Sequence, residues 1–134
     1  MQQPHRGFTL IEVLMVAAVS VVLAAMAWPA YRSQVQRAAR AEAIDTLQRL
    51  QLAQERHRMS FGTYATELKT VGFAAATAGG RYDIAYTPTG ADSYRAEALA
   101  RADGPQQGDS CKSLTLEVRE GFATLGPDGR CWNR

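Results

Sequence analysis

The stretch Arg6-Gly7-Phe8-Thr9-Leu10-Ile11-Glu12 leads directly into a run from Val13 to Tyr31 that contains no charged residue. At about 1.5 Å of rise per residue, a helix of that length matches the hydrocarbon core of a bilayer, about 30 Å thick. Its apolar residues surround the whole circumference instead of forming one stripe, which argues against a buried core helix. The sequence therefore predicts a helix that sits in a membrane.

Glu12 is the unusual residue of this segment, because it places a carboxylate next to the apolar run. Such a group costs about 2.5 to 3.5 kcal/mol at mid-bilayer on insertion scales, so it should be paired or lie near the interface. If the chain were cut between Gly7 and Phe8, the new α-amino group of Phe8, on the same or a neighbouring chain, would be the nearest cation. The helix N-terminus would add about half a positive charge there.

These residues, the long apolar run and Pro29-x-Tyr31 resemble the N-terminus of type IV pilins and of the related pseudopilins of type II secretion. The resemblance implies that a prepilin peptidase cuts after Gly7 and methylates the new N-terminus, Phe8. It also implies that Glu12 is needed for assembly and that Pro29 lies within the first helix.

The same resemblance divides the chain into three parts. Residues 1–7 are expected to be a removed leader, 8–31 a transmembrane and polymerisation half-helix, and 32–134 a head domain. An ordinary secretory signal, cut after Ala25-Met26-Ala27, is an alternative, as is a plain anchor with an incidental Glu12. A carboxylate inside the hydrophobic region is unexpected in a secretory signal.

The helical pattern continues beyond the apolar run and becomes amphipathic. Apolar residues fall on one face of a 3.6-residue period: Ala39, Ala43, Leu47 and Leu50, with Ile44 beside them. We therefore expect one helix from about Phe8 to about His57, which Pro29 should kink or loosen locally. A short helical turn is expected over Tyr64–Lys69.

The rest of the chain alternates apolar and polar residues, with Gly, Pro and Asp between the alternating segments. Four such segments are candidate strands: 81–87, 94–101, 114–119 and 122–125. Period-2 alternation of this kind indicates an antiparallel meander with one buried face, and the amphipathic half of the helix is its natural partner. The expected fold class is α+β, a pilin fold with a long N-terminal helix packed on a roughly four-stranded antiparallel sheet.

Cys111 and Cys131 are the two cysteines of the chain. Basic residues on both sides of the span leave its orientation equivocal, but the cysteine pair and the peptidase motif both favour an exported C-terminal part. In an exported domain such a pair favours a disulfide over metal ligands. The bridge would close a loop of about twenty residues and contribute about 3 kcal/mol. No metal site or cofactor is expected, since His57 is the one histidine that remains after cleavage.

A second resemblance involves the C-terminal part of the chain. Cys111-Lys112-Ser113-Leu114-Thr115-Leu116, followed by Gly121, Gly129 and Cys131-Trp132, is similar to PilE-like minor pilins and to their DNA-receptor relative ComP. This chain departs from many major subunits in its short C-terminal loop and in lacking a second proline in the soluble half of the helix.

The hypothesis is a structural, minor subunit of a type IV pilus that supports pilus assembly, adhesion or twitching motility, held first in the inner membrane with its head in the periplasm and then in the extracellular fibre. Its expected partners are other pilin subunits, prepilin peptidase, the inner-membrane assembly machinery, membrane lipid and, in one alternative, DNA. An enzyme is not expected, because no phosphate-binding loop or hydrolase motif is present.

Two alternatives remain open: a type II secretion pseudopilin and a DNA-uptake receptor. The receptor would bind DNA through basic residues of the head: Arg81, Arg95, Arg101, Lys112, Arg119, Arg130 and Arg134. The competing interpretation is that these residues form the solvated face of the sheet.

Overall fold

The structure, a computed structural model, describes residues 7–132. The expected leader therefore lies outside the described residues except for Gly7, and so does Arg134, one of the candidate DNA contacts. The described residues form two compact units, 7–35 and 36–132. All the buried residues belong to the second unit, which we call the head.

Helix α1 extends over Leu10–Phe61, two residues later at its start and four residues later at its end than expected. Gly62 ends it in the left-handed conformation (φ 79°), and its N–H donates to the Arg58 carbonyl oxygen at 2.8 Å. Glycine adopts this conformation at no steric cost, which is why it so often ends helices.

The amphipathic half of α1 buries the face that the periodicity predicted: Ala39, Ala43, Ile44, Leu47 and Leu50. Gln54 is also fully buried on this helix, which the apolar pattern did not predict. Its side-chain oxygen accepts from the Ala65 N–H at 2.8 Å, so the buried amide anchors the segment that follows the helix.

The prediction of a helical turn over Tyr64–Lys69 is wrong. A short 3₁₀ helix instead occupies Leu68–Val71, and Glu67 before it is extended. Tyr64 and Ala65 are buried under the helix, with the Ala65 backbone bound to Gln54, and this tertiary contact holds the segment in a non-helical conformation.

Four antiparallel strands form one sheet in the order β1-β2-β3-β4: Tyr82–Gly90, Ser93–Ala100, Ser113–Arg119 and Phe122–Gly126. Consecutive strands are neighbours, as in the predicted meander. In β2 and β3 every second residue is buried, including Tyr94, Ala96, Leu114 and Leu116. These residues form one core with the buried face of α1, which confirms the α+β fold class.

The loop between β2 and β3 contains a 3₁₀ helix, Pro105–Gly108, and leads to Cys111. Cys111 and Cys131 form a disulfide, as predicted, with their Cα atoms 5.6 Å apart. The Trp132 indole N–H donates to the Gly126 carbonyl oxygen at 2.7 Å, which ties the C-terminal segment to the end of β4.

Candidate assembly site and head surface

Thr9 and Glu12 form a reciprocal cap at the start of α1. The Thr9 N–H and hydroxyl donate to Glu12 Oε2 at 2.9 and 2.8 Å, and the Glu12 N–H donates to Thr9 Oγ1 at 3.4 Å. This is a capping box, in which a Thr and a Glu three residues later satisfy backbone donors of the first turn. The Thr9-x-x-Glu12 spacing is visible in the sequence, but the expectation for Glu12 considered only its charge.

The first half of α1 exposes its large apolar side chains. Those more than half exposed include Leu14, Val16, Val19, Leu23 and Met26. The helix is long and apolar enough to cross a membrane, and its most apolar window has no side chain buried. An apolar surface of this extent needs lipid or other protein around it.

Pro29 lies inside α1, and the helix continues without a break on both sides of it. Proline removes one backbone donor from the helix interior. The expected kink or loosening at this position stays a prediction.

Three of the candidate basic residues lie at one end of the sheet. The Arg101 N–H donates to the Arg81 carbonyl oxygen at 3.1 Å, and the Ala100 N–H donates to the Lys112 carbonyl oxygen at 2.7 Å, so the ends of three strands meet here. Arg81 and Lys112 make no ion pair with any residue in 7–132, and Arg101 lies 3.8 Å from each of two carboxylates, Asp83 and Asp103. We call Arg81, Arg101 and Lys112 the basic end.

The other three described candidates each have an acidic neighbour. Arg95 lies 3.9 Å from Glu97, Arg119 2.5 Å from Glu117, and Arg130 3.3 Å from Asp128. Arg95 and Arg119 share the outer face of the sheet with those glutamates, so this face alternates in charge. The competing interpretation of a solvated face fits these residues better than it fits the basic end.

A buried ion pair connects α1 to the loop before Cys111. Arg40 Nη2 lies 2.6 Å from Asp109 Oδ1, and the two side chains are only 15% and 2% exposed. Asp109 also accepts from the Cys111 N–H at 3.0 Å and from Gln106 Nε2 at 3.3 Å. Gln106 in turn donates to the Tyr82 hydroxyl at 3.0 Å. This arrangement was not predicted, and no local pattern indicates it, because Arg40 and Asp109 are 69 residues apart.

Tyr64 contacts two charged residues near the C-terminal end of α1. The Tyr64 hydroxyl donates to Glu55 Oε1 at 2.7 Å, and the Arg58 guanidinium carbon lies 5.2 Å from the centre of the Tyr64 ring. Burial raises the pKa of the Tyr64 phenol, and its hydrogen bond to Glu55 raises it further. Arg58 also pairs with Asp92 at 3.2 Å, which attaches the β1–β2 turn to the helix.

Within residues 7–132, no group of three or more His, Cys, Asp or Glu side chains could hold a metal ion.

A long helix with an apolar first half and a capped glutamate, together with a four-stranded head closed by a C-terminal disulfide, defines a type IV pilin. The prokaryotic N-terminal methylation motif matches residues 3–28. The model of the type IV minor pilin ComP, DNA uptake sequence receptor, matches residues 29–115, and the chain belongs to this family. It is also 29% identical over 119 residues to the fimbrial protein EcpC of Eikenella corrodens, covering 87% of this chain and 76% of that relative.

These findings confirm the predicted family and the predicted function, a minor structural subunit of a type IV pilus. As a pilin, the chain is processed by prepilin peptidase, anchored in a membrane by its apolar helix, and assembled with other pilins into a fibre. The family is one of structural proteins. The description of the family also names a DNA uptake sequence receptor, and the basic end is the part of the head with candidate DNA contacts that have no ion-pair partner within residues 7–132.

Proposed function

We propose that cleavage after Gly7 frees the α-amino group of Phe8, that this group is methylated, and that it pairs with Glu12 of a neighbouring subunit during assembly. The N-terminal methylation motif supports the cleavage site. The carboxylate geometry supports the pairing, because both Thr9 bonds end on Oε2. Oε1 accepts no hydrogen bond from residues 7–132 and is available to a neighbour's amine.

In this proposal the two kinds of contact have different roles. The exposed apolar side chains of 8–31 supply most of the adhesion between subunits, and the buried charge pair fixes their axial register. The processed subunit waits in the inner membrane with residues 32–134 in the periplasm, where the assembly machinery collects it. Protease added to spheroplasts should therefore digest the head and spare the apolar helix; protection of the head would contradict this orientation.

Substitutions can separate the charge of Glu12 from its capping role. Glu12→Gln keeps the hydrogen-bond acceptor of the capping box but removes the charge. We expect Glu12→Gln and Glu12→Ala to enter fibres equally poorly, while both stay folded and membrane-inserted. Thr9→Ala, which removes the side-chain half of the cap, should still assemble. Sheared pili and membranes are compared by immunoblot, with the mature N-terminus checked by mass analysis.

The decisive result is that for Glu12→Gln. Normal fibre entry of this variant would show that Glu12 acts as a helix cap and not as a charge partner. A mature chain beginning at Met1, or after Ala27, would remove the Phe8 amine from the mechanism altogether.

We propose DNA binding as a second function of the head, supported by the family description and by the basic end. The charges in residues 36–132 sum to zero, with twelve Lys and Arg against twelve Asp and Glu, so any attraction to phosphate must be local. Arg81 and Lys112 are the best candidates, because neither has an ion-pair partner within 7–132. Arg101 lies beside them.

A mobility-shift titration of the detergent-solubilised chain, at two salt concentrations, tests this proposal. Arg81→Ala with Lys112→Ala should weaken binding and flatten its salt dependence, since each lost phosphate contact lowers the salt slope by about 0.9. Arg95→Ala with Arg119→Ala is the matched control, which removes two positive charges that are already paired. Equal loss in both variants, or no binding by the parent chain, would contradict a DNA site at the basic end.

A further inference from the structure

The segment between α1 and β1, residues 62–81, is called the connector here, and an apolar groove lies where it meets β1. The groove has a volume of about 750 Å³. Its lining residues, which define what we call the connector groove, are Thr66, Glu67, Leu68, Lys69, Gly72, Phe73, Ala74, Ala75 and Tyr86. Leu68, Phe73 and Tyr86 are partly buried against the core and form its apolar surface, while Glu67 and Lys69 are exposed.

An exposed aromatic side chain lies at the opposite edge of the sheet. Phe122 begins β4, the edge strand farthest from β1, and is 80% exposed. It follows the tight turn at Glu120 and Gly121, both of which have positive φ, 51° and 85°. Arg119 is the register partner of Phe122 across this turn, and the Glu120 N–H donates to the Asp92 carbonyl oxygen at 2.9 Å. We call residues 119–122 the Phe122 knob.

Carboxylates without a partner distinguish these two places from the rest of the described head. Ten of the twelve carboxylates in residues 36–132 form an ion pair or accept a hydrogen bond from another residue in that range. The two that do not are Glu67, in the connector groove, and Glu120, in the Phe122 knob. Lys69 likewise has no ion-pair partner among the described residues.

We propose that the Phe122 knob of one copy docks in the connector groove of a second copy. Phe122 enters the apolar groove, and Glu120 faces Lys69. Glu120 and Lys69 have opposite charges and neither has an ion-pair partner within residues 7–132, so the two surfaces are complementary in charge at this pair as well as in polarity. Because they lie on opposite edges of the same sheet, the contact is heterologous and repeats from copy to copy, as a filament requires.

A second copy suits the knob better than a nucleic acid does. Asp92, Glu117 and Glu120 lie on or beside the knob, and Asp92 and Glu120 line the same surface depression as Arg119. These carboxylates would repel phosphate. One aromatic ring and one ion pair form a surface well below the total of about 1,600 Å² typical of stable complexes. The contact therefore adds to assembly only where the N-terminal helices already hold neighbouring heads together.

Photocrosslinking of the full chain in membranes and in sheared pili tests the contact directly. Phe122→benzoylphenylalanine keeps an aromatic ring at the knob, and mass analysis of the crosslinked peptides identifies the site it reaches. The expected product joins position 122 to residues 66–75 of another copy. Phe61→benzoylphenylalanine is the matched control, because Phe61 is 73% exposed but belongs to neither surface. It should give no crosslink to the groove.

Charge reversal supplies a second readout with little risk to folding, since both residues are exposed. Lys69→Glu should lower the yield of the groove crosslink about two- to fivefold, the effect of losing a surface ion pair. Glu120→Lys in the same chain should restore the yield. A crosslink from position 122 to its counterpart in another copy, to a different protein, or to DNA would overturn the proposal, as would folded, fibre-borne protein with no crosslink to the groove. The Glu12 mechanism is unaffected by these results, because it is read from fibre entry.

Discussion

Asp109 is the residue on which the attachment of the β2–β3 loop to α1 depends. Of the ion pairs in residues 7–132, Arg40–Asp109 is the most buried. Asp109→Ala would leave the Arg40 guanidinium buried without a counter-charge and remove an acceptor from the Cys111 N–H. We expect the free energy of unfolding to fall by about 3 to 5 kcal/mol, measured by urea denaturation of the full chain in detergent.

The Asp45–Arg49 pair offers a matched control for this prediction. It is also an ion pair of α1, but its side chains are 55% and 72% exposed. Asp45→Ala should therefore cost about 0.3 to 0.5 kcal/mol. If the two substitutions had equal effects on the urea midpoint, burial of Arg40–Asp109 would not contribute to stability as we infer.

The buried tyrosines predict a loss of stability at alkaline pH. Burial raises the pKa of Tyr86 to about 12 and also raises that of Tyr94. Between the unfolded pKa of about 10 and these higher values, the folded state holds protons that the unfolded state has released. The contribution of these two tyrosines to stability is therefore fully present below about pH 10 and is lost as the pH rises above it.

A spectrophotometric titration of phenolate, together with unfolding curves, checks this expectation. Tyr86→Phe should make the decline in stability above pH 10 shallower, since one coupled proton is removed. The substitution also removes the hydrogen bond from Tyr86 to the Ala65 carbonyl oxygen, so some stability is lost at neutral pH. A decline with an unchanged slope would show that Tyr86 is not one of the coupled groups.

At the scale of secondary-structure elements, the sequence predicted what depends on local periodicity. The buried stripe of α1 and the alternating strands β2 and β3 follow from side-chain spacing alone. The ends of elements were less accurate, because they depend on single contacts such as the bond between Gly62 and Arg58. The prediction of a helical turn in the connector was wrong because the conformation of this segment is held by Gln54. Gln54 is a polar residue that the apolar stripe of α1 does not include.

The C-terminal segment is attached both by its disulfide and by the packing of the buried Cys131 and Trp132 in the core. Cys111→Ser with Cys131→Ser opens a loop with a sequence separation of 20. In the chain-entropy model this should lower the free energy of unfolding by about 3 kcal/mol. Trp132 donates to Gly126 within this segment, so its fluorescence should also shift to the red as the segment loosens. Unchanged emission and an unchanged urea midpoint would mean that packing alone holds residues 126–132.

At the scale of the whole molecule, the sequence could show which residues were chemically suited to a site but not which of them meet. Glu12 is conspicuous by its apolar surroundings, and its capping partner Thr9 was also within reach of a local pattern. No local pattern could predict the division of the basic residues into a basic end and a paired outer face, because that division follows from strand register. The Asp109 network and the two carboxylates Glu67 and Glu120 were likewise invisible without the fold.

The separation of the chain into two units predicts that the head folds without the apolar helix. All buried core residues lie after position 38, and the unit boundary falls between Val35 and Gln36. A fragment covering residues 32–134 keeps about one helical turn ahead of Gln36, whose carbonyl oxygen accepts from Gln106 Nε2 at 3.2 Å. We expect this fragment to be a monomer without detergent, with the urea midpoint of the full chain.

A fragment covering residues 41–134 is the control, because it has the same sheet and disulfide but lacks Gln36, Arg40 and the small buried side chain of Ala39. Asp109 is then buried without its guanidinium, so the urea midpoint should fall while the slope, about 1 to 1.5 kcal/mol per molar urea for a domain of this size, stays nearly unchanged. Aggregation of the 32–134 fragment would show that the head needs the apolar helix to fold. Equal midpoints for the two fragments would instead show that the head is independent but that Arg40 does not hold its β2–β3 loop.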